Sequence, residues 1–255
     1  MLYWLIKRGI AEPVLRPVLR PWVRGLENVP ASGPAVLASN HLSVADPVLL
    51  STLLPRRVTY IAKAEMFTGP GVRGRLFGRL LRGIGQLPVD RSGGSASTAA
   101  IDAALEVLGR GELFGVYPEG TRSPDGRLYR GRTGVARIAL RSGAPVVPVA
   151  VVGTDELMPP GRAVPRVRRV GLVVGEPLDF SRYAGRADDQ FVVRSVTDEV
   201  MAAIQRLSRQ EYVDGYAPRR RPGTGSPAAG GRGPGGRSAP PGRGSGSGPG
   251  PAAPE

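Results

Sequence analysis

Ala35-Val-Leu-Ala-Ser-Asn-His-Leu-Ser-Val-Ala-Asp-Pro47 contains a strand, a turn and a helix start in direct succession. Ala35 to Ser39 is a short apolar run of strand length, and the polar Asn40-His41 ends it. Asp46, followed by Pro47 and the apolar run Val48-Leu-Leu, has the chemistry of a helix start, with aspartate at the N-cap and proline at N1. The same alternation extends outward. Val58 to Ala62, Leu113 to Tyr117, Val146 to Val152 and Val170 to Val174 read as strands. Ile101, Ala104, Leu105 and Leu108, closed by Gly109, repeat at helical spacing. Val193, Val196, Val200, Ile204 and Leu207 do so near the end of the body. Strands alternating with helices predict an α/β fold: a mixed, largely parallel central sheet flanked by helices.

Composition narrows the chemistry. The 255 residues include no cysteine and one histidine, so a disulfide framework, a cysteine nucleophile and a Cys/His zinc site are excluded. No His/carboxylate cluster has ligand spacing, and no metal is expected. A formal net charge of +14 points to acidic partners: phosphate groups, anionic lipid or nucleic acid. From Ala217 the composition turns to Gly, Pro, Ser, Ala and Arg, and residues 217–255 are expected to be a disordered tail. Its six arginines against Glu255 leave about +5 there and about +9 on the body. Gly231 to Gly236 fits a dinucleotide fingerprint, but no strand precedes it and no helix follows it. The charge and the Arg/Gly-rich tail leave a non-enzymatic nucleic-acid or anionic-surface binding protein as the rival reading, but the tail has no aromatic residue on which bases could stack, so no nucleic acid is expected as a partner.

Residues 1–24 have their own character. Leu2, Leu5, Ile6 and Ile10, then Val14, Leu15, Val18, Leu19 and Trp22, recur at helical spacing, while Arg16, Arg20 and Arg24 share another face. Such an amphipathic segment suits a membrane interface, with Tyr3, Trp4 and Trp22 as aromatic anchors. It suits equally a helix that docks on the domain. Pro13, Pro17 and Pro21 argue for a short helix followed by a kinked segment. No apolar run is long enough to span a bilayer, and no signal peptide is legible, so peripheral attachment on the cytoplasmic face is the expectation. The domain proper is expected over residues 25–216.

Three clusters could carry chemistry. His41 and Asp46 lie in a loop after a strand, where ligands and catalysis in open α/β sheets concentrate. Five residues on a regular helix would turn their side chains about 140° apart, so the two meet only if the chain between them turns. Asp46 is then either a helix cap, a partner of His41, or both. Tyr117-Pro-Glu-Gly-Thr-Arg-Ser123 is a tight turn after another strand, with Glu119 and Arg122 beside backbone N–H groups able to hold a polyol and its phosphate. Gly85-Gln-Leu-Pro-Val-Asp-Arg91 presents Arg91, otherwise a solvated charge. Lys63 reads as a surface lysine.

Together these blocks resemble a known family. Asn40-His41 with Asp46 matches an N-H-x-x-x-x-D signature, Gly85 to Arg91 a second block, Tyr117 to Ser123 an F-P-E-G-T-R-S block, and Ala144-Pro-Val-Val-Pro148 a fourth, in order over residues 33–155. The chain is similar to the glycerolipid acyltransferases. It departs from them at Tyr117, a phenylalanine in the family, and at Leu87-Pro88, usually an isoleucine-phenylalanine pair. The resemblance implies transfer of a fatty acyl group from acyl-CoA or acyl-carrier protein to the sn-2 hydroxyl of 1-acyl-glycerol-3-phosphate, with no cofactor. It implies His41 as general base, Asp46 as its orienting partner, and Asn40, Arg91, Glu119, Gly120, Thr121 and Arg122 at the acceptor. Pro145 and Val147 are expected to shape the acyl channel. Other lysolipid acceptors, a lysophosphatidylinositol mannoside or a lyso-ornithine lipid, use the same motifs.

Overall fold

Short β-branched runs pair into one seven-stranded sheet in a computed structural model that describes residues 2–69, 71–83, 85–89, 96–157 and 168–218. Its strands are β1 (Trp22–Arg24), β2 (Ala35–Ser39), β3 (Val58–Lys63), β4 (Gln86–Val89), β5 (Leu113–Val116), β7 (Val146–Val152) and β8 (Gly171–Val174). A second pair joins β6 (Leu128–Tyr129) to β9 (Tyr212–Val213). The spatial order is β1-β8-β7-β2-β5-β3-β4. Strands β7, β2, β5, β3 and β4 run parallel, while β8 lies antiparallel to β7 and carries β1 parallel to itself. The sheet is therefore mixed and largely parallel, as the sequence predicts.

The helices are α1 (Leu2–Ile6), α2 (Glu12–Leu19), α3 (Asp46–Leu53), α4 (Gly71–Gly83), α5 (Ala96–Gly109), α6 (Gly134–Ser142), the short α7 (Thr154–Leu157) and α8 (Gln190–Ser208). Helices α5, α6 and α8 bury Ala104, Leu108, Val135, Ile138, Val193 and Val200 against one face of the sheet. Helix α3 and the end of α2 cover the other, where Leu19, Leu49, Leu50 and Leu54 meet Leu37, Val147 and Val149. Burial on both faces explains why the strands read as continuous apolar runs without alternation. Pro148 sits within β7, where its carbonyl accepts from Gly175 N at 2.8 Å just ahead of the ladder to β8, and its missing N–H leaves only the return bond of that pair unmade. Gly115 faces Tyr60 across β5 and β3, and a Cβ there would fall 2.1 Å from the Tyr60 ring, so only glycine admits that ring into the layer.

Several expectations are corrected. Trp22 to Arg24 form the edge strand β1, so the sheet begins inside the segment assigned to the interface, and the half-buried Trp22 ring lies against Gly171. Residues 2–19 are helical almost throughout: a π-helical turn, Lys7–Ala11, joins α1 to α2. The Glu12 N–H reaches back five residues to Lys7 O, just ahead of Pro13, which has no N–H to give. One face docks on the domain. The Tyr3 hydroxyl donates to Ser51 O at 2.9 Å and the Lys7 ammonium to Leu54 O, and both side chains are buried. Burial holds the Lys7 ammonium below its ordinary pKa. Trp4, Leu5 and Val18 stay exposed, so docking and a free apolar face coexist. Ala217 is buried, which carries the body past 216; residues 219–255, with nearly all of the expected tail, lie outside the described residues.

Candidate active site

Two loops meet at the carboxyl ends of the neighbouring parallel strands β2 and β5. The first, 40–46, turns back on itself through one oxygen. Asp46 Oδ2 accepts the backbone N–H of Leu42 at 2.7 Å and of Ser43 at 2.8 Å, and lies 2.8 Å from His41 Nδ1. The chain does turn, and the two side chains meet. Asp46 is the first residue of α3 rather than its N-cap; Ala45 holds that place without a side-chain bond. The carboxylate is committed to the loop, not to the helix N–H groups. Asp46 is 0 % exposed, and its Oδ1 has no hydrogen-bond partner among the described residues.

The second loop clamps the first at both ends of His41. Glu119 Oε1 accepts from His41 N at 3.2 Å, and Ser123 N donates to His41 O at 2.8 Å. Glu119 Oε2 accepts from Tyr129 N at 3.0 Å. Gly120 closes the turn with its N–H on Tyr117 O and a φ of 73°, a conformation that disfavours any side chain. The Tyr117 ring stacks on His41 at 4.0 Å between centroids and 15° between planes, and Tyr60 continues the column at 5.7 Å. Burial raises both phenols well above their ordinary pKa, so they stay neutral beside the pair. A neutral aromatic face thus covers one side of the imidazole. Tyrosine in place of phenylalanine keeps that face.

Two residues expected at the acceptor have structural partners instead. Asn40 is fully buried: its Nδ2 donates to Val151 O at 3.0 Å and Gln210 Oε1 at 2.8 Å, and its Oδ1 accepts from Val151 N at 2.8 Å. It pins the end of β2 to β7. Glu119 is 1 % exposed and spends both oxygens on backbone amides. Nothing in the sequence separates a buried polar anchor from a ligand, since both need the same side-chain types. Thr121 and Arg122 are half-buried on the clamping turn, while Arg91 lies outside the described residues. Arg132, which the sequence reading passed over, lies against Gly120, donates its backbone N–H to Pro118 O and extends over the Tyr216 ring at 5.0 Å. Val147 is buried in the core, and Ala144 to Pro148 lead into β7, with Val146 paired to Val36 at the start of β2 and Pro148 to Ala38 near its end. Val147 is thus part of the core, while Pro145 is half-buried.

Burial lifts the Glu119 carboxyl to about 7 against the pull of its two backbone amides. The folded chain then binds this proton more readily than the unfolded one, whose value is near 4.5. Stability from this group is complete below about pH 4.5 and is lost as pH rises through about 7. Relative to Glu119→Gln, the parent should therefore lose up to about 3 kcal/mol of unfolding free energy over that interval. Denaturant titrations of both proteins at the two ends measure it, and a constant gap would contradict the assignment.

The acyltransferase family model matches residues 20–152, which contain both loops. A chloroplastic 1-acyl-sn-glycerol-3-phosphate acyltransferase of Brassica napus is 31% identical over 174 residues, spanning 68% of this chain and 48% of the relative. The Bacillus subtilis protein of the same name is 32% identical over 160 residues, 62% of this chain and 73% of its own. The chain thus spans about half the length of the plant relatives it matches and nearly three quarters of the bacterial one. Among solved structures, the Thermotoga maritima 1-acyl-sn-glycerophosphate acyltransferase superposes with a TM-score of 0.59 at 28% identity, over 78% of each chain. With the family model covering more than half of its length, and both loops inside the match, the chain belongs to the acyltransferase family.

Proposed function

We propose that the chain moves a fatty acyl group from a thioester, acyl-CoA or acyl-carrier protein, to the sn-2 hydroxyl of 1-acyl-glycerol-3-phosphate. The carrying observation is the 2.8 Å contact of His41 Nδ1 with the buried Asp46 Oδ2 at the carboxyl edge of the sheet. An alcohol is a weak nucleophile until a base takes its proton. With Nδ1–H directed to Asp46, the lone pair is on Nε2, which has no hydrogen-bond partner among the described residues. Nε2 takes the proton of the acceptor hydroxyl as its oxygen bonds to the thioester carbonyl carbon. The tetrahedral intermediate then expels the thiolate, the C–S bond breaks, and the imidazolium returns its proton to sulfur. Asp46 stabilises the transient imidazolium and holds the ring in its tautomer.

Neither serine of the two motif loops suits an acyl-enzyme route. Ser43 is buried with its Oγ accepting from Ala45 N, and Ser123 Oγ accepts from Gly126 N beside Asp125. Arg122 and Thr121, with Arg91, are the residues assigned to the acceptor phosphate, since a guanidinium meets phosphate oxygens in bidentate fashion. The names of the plant, Bacillus and Thermotoga relatives support the choice of acceptor. No helix among the described residues is long and apolar enough to cross a membrane. An acceptor embedded in a bilayer must then be met from the surface, and the basic, amphipathic N-terminus suits peripheral attachment to anionic lipid on the cytoplasmic face. Purified protein offered acyl thioester with a panel of lysolipids should consume thioester fastest with 1-acyl-glycerol-3-phosphate. Turnover confined to a lysophosphatidylinositol mannoside or a lyso-ornithine lipid would overturn the acceptor and keep the chemistry.

A further inference from the structure

We propose that helix α4 is a bilayer-docking element that seats the carboxyl edge of the sheet on anionic lipid. This rests on the reading that the acceptor lies in a membrane, and it names a second contact beyond the N-terminal segment.

Helix α4 is held by its back. Gly74 and Gly78, four residues apart, approach the backbone of the preceding turn so closely that a Cβ would fall 2.1 Å from Gly69 O and 2.6 Å from Phe67 O. Helical periodicity puts Val72 and Leu76 on the opposite side. There they are 74 % and 66 % exposed, which two aliphatic side chains in register on one helix face do not gain from water. Arg75, Arg79 and Arg82 are exposed along the flank of this stripe. The helix sequence, Gly71 to Gly83, contains four arginines and no acidic residue. An apolar stripe edged by arginines lets the aliphatic groups enter the headgroup region while the guanidinium groups meet lipid phosphates.

Position supports the same occupant. Helix α4 leaves the carboxyl end of β3, two strands from β2, and Val72 and Leu76 lie in its first half, nearest the edge that carries His41. Val44, 53 % exposed, adds an apolar group in the catalytic loop itself. Helix α1 packs against α4, but its exposed Trp4 lies beside Pro55, Arg57 and Glu112 at the amino edge of the sheet, so α4 is a contact separate from the N-terminal segment. An acidic protein such as a carrier protein would be met by the arginines alone and would leave the aliphatic stripe without a role.

The test uses the full chain and sedimentation with vesicles of phosphatidylcholine, with and without phosphatidylglycerol. Val72→Ser with Leu76→Ser should weaken partition into phosphatidylglycerol vesicles at least tenfold. Arg75→Gln with Arg79→Gln should weaken it about tenfold, with a smaller effect on pure phosphatidylcholine and an effect that fades in high salt. Both variants should keep parental turnover on a dispersed short-chain acceptor, which shows that they fold. The chain has no cysteine, so Leu76→Cys can carry a single polarity-sensitive fluorophore. Its emission should shift to the blue on vesicle addition, whatever the serine variants do. An unshifted emission, or undiminished partition of the serine pair while Trp4→Ser with Leu5→Ser loses it, would overturn the role of α4 and leave peripheral attachment standing. Failure of the parent to bind any vesicle would overturn both. A loss of turnover in the arginine pair only with carrier-protein donors, with vesicle binding intact, would assign the face to a protein partner.

Discussion

Replacing His41 by alanine should lower acyl transfer at least about 10²-fold, the lower end of what a positioned general base contributes. Thioester consumption in the presence of lysolipid measures it. The chain has no second imidazole and no cysteine to stand in. The variant should still fold, because the contacts that hold the loop do not pass through the ring. Asp46 Oδ2 keeps the N–H groups of Leu42 and Ser43, and the Glu119 and Ser123 bonds go to the backbone of residue 41. The ring contributes one hydrogen bond and a stack on Tyr117, so a stability loss of about 1–2 kcal/mol is expected beside a far larger kinetic one. Unfolding measured beside turnover separates the two. Activity within tenfold of the parent would remove His41 from the reaction.

How much of this was legible depended on what each segment buries. The core strands β2 and β7 coincide with the apolar runs read from the sequence, because a strand covered on both faces needs little beyond length and β-branched content. Strand β4 was missed as a strand: Gln86-Leu-Pro-Val is four residues long and holds a proline, which argues against a strand and is accommodated here at the sheet edge. Strand β1 was hidden because Trp22 and Val23 continue a helical apolar spacing that α2 had already ended at Leu19. Helix α4 has four glycines in thirteen residues, a poor helix by propensity, and it forms because two of them permit backbone contact with the turn before it. The motif residues were found, but their partition was not. Asn40, Glu119 and Asp46 are all buried polar groups in one neighbourhood. Only the coordinates divide them into a strand pin, a loop clamp and the partner of the histidine.

That division makes Asp46→Asn the more discriminating substitution, with an expected loss on the order of 10³–10⁴-fold, as when the orienting aspartate of a serine-hydrolase triad is replaced by asparagine. A carboxylate offers Oδ2 to three N–H groups at once. An asparagine in the same place has two options. Its carbonyl can take over the Oδ2 position, which keeps the loop but directs the amide into the buried Oδ1 position, where no partner waits among the described residues. Flipped, it presents N–H groups to Leu42 N, Ser43 N and His41, which breaks the loop and forces Nδ1 to accept, leaving the proton on Nε2. The first arrangement costs about 1–3 kcal/mol of stability for an unsatisfied buried group and also removes the charge that steadies the imidazolium. The second gives a tautomer that cannot accept the acceptor's proton. Asp46→Ala strips both amides of their acceptor and should be markedly less stable, so the asparagine variant is the one to assay. If it folds and retains activity within tenfold of the parent, Asp46 is a loop anchor and His41 works without it.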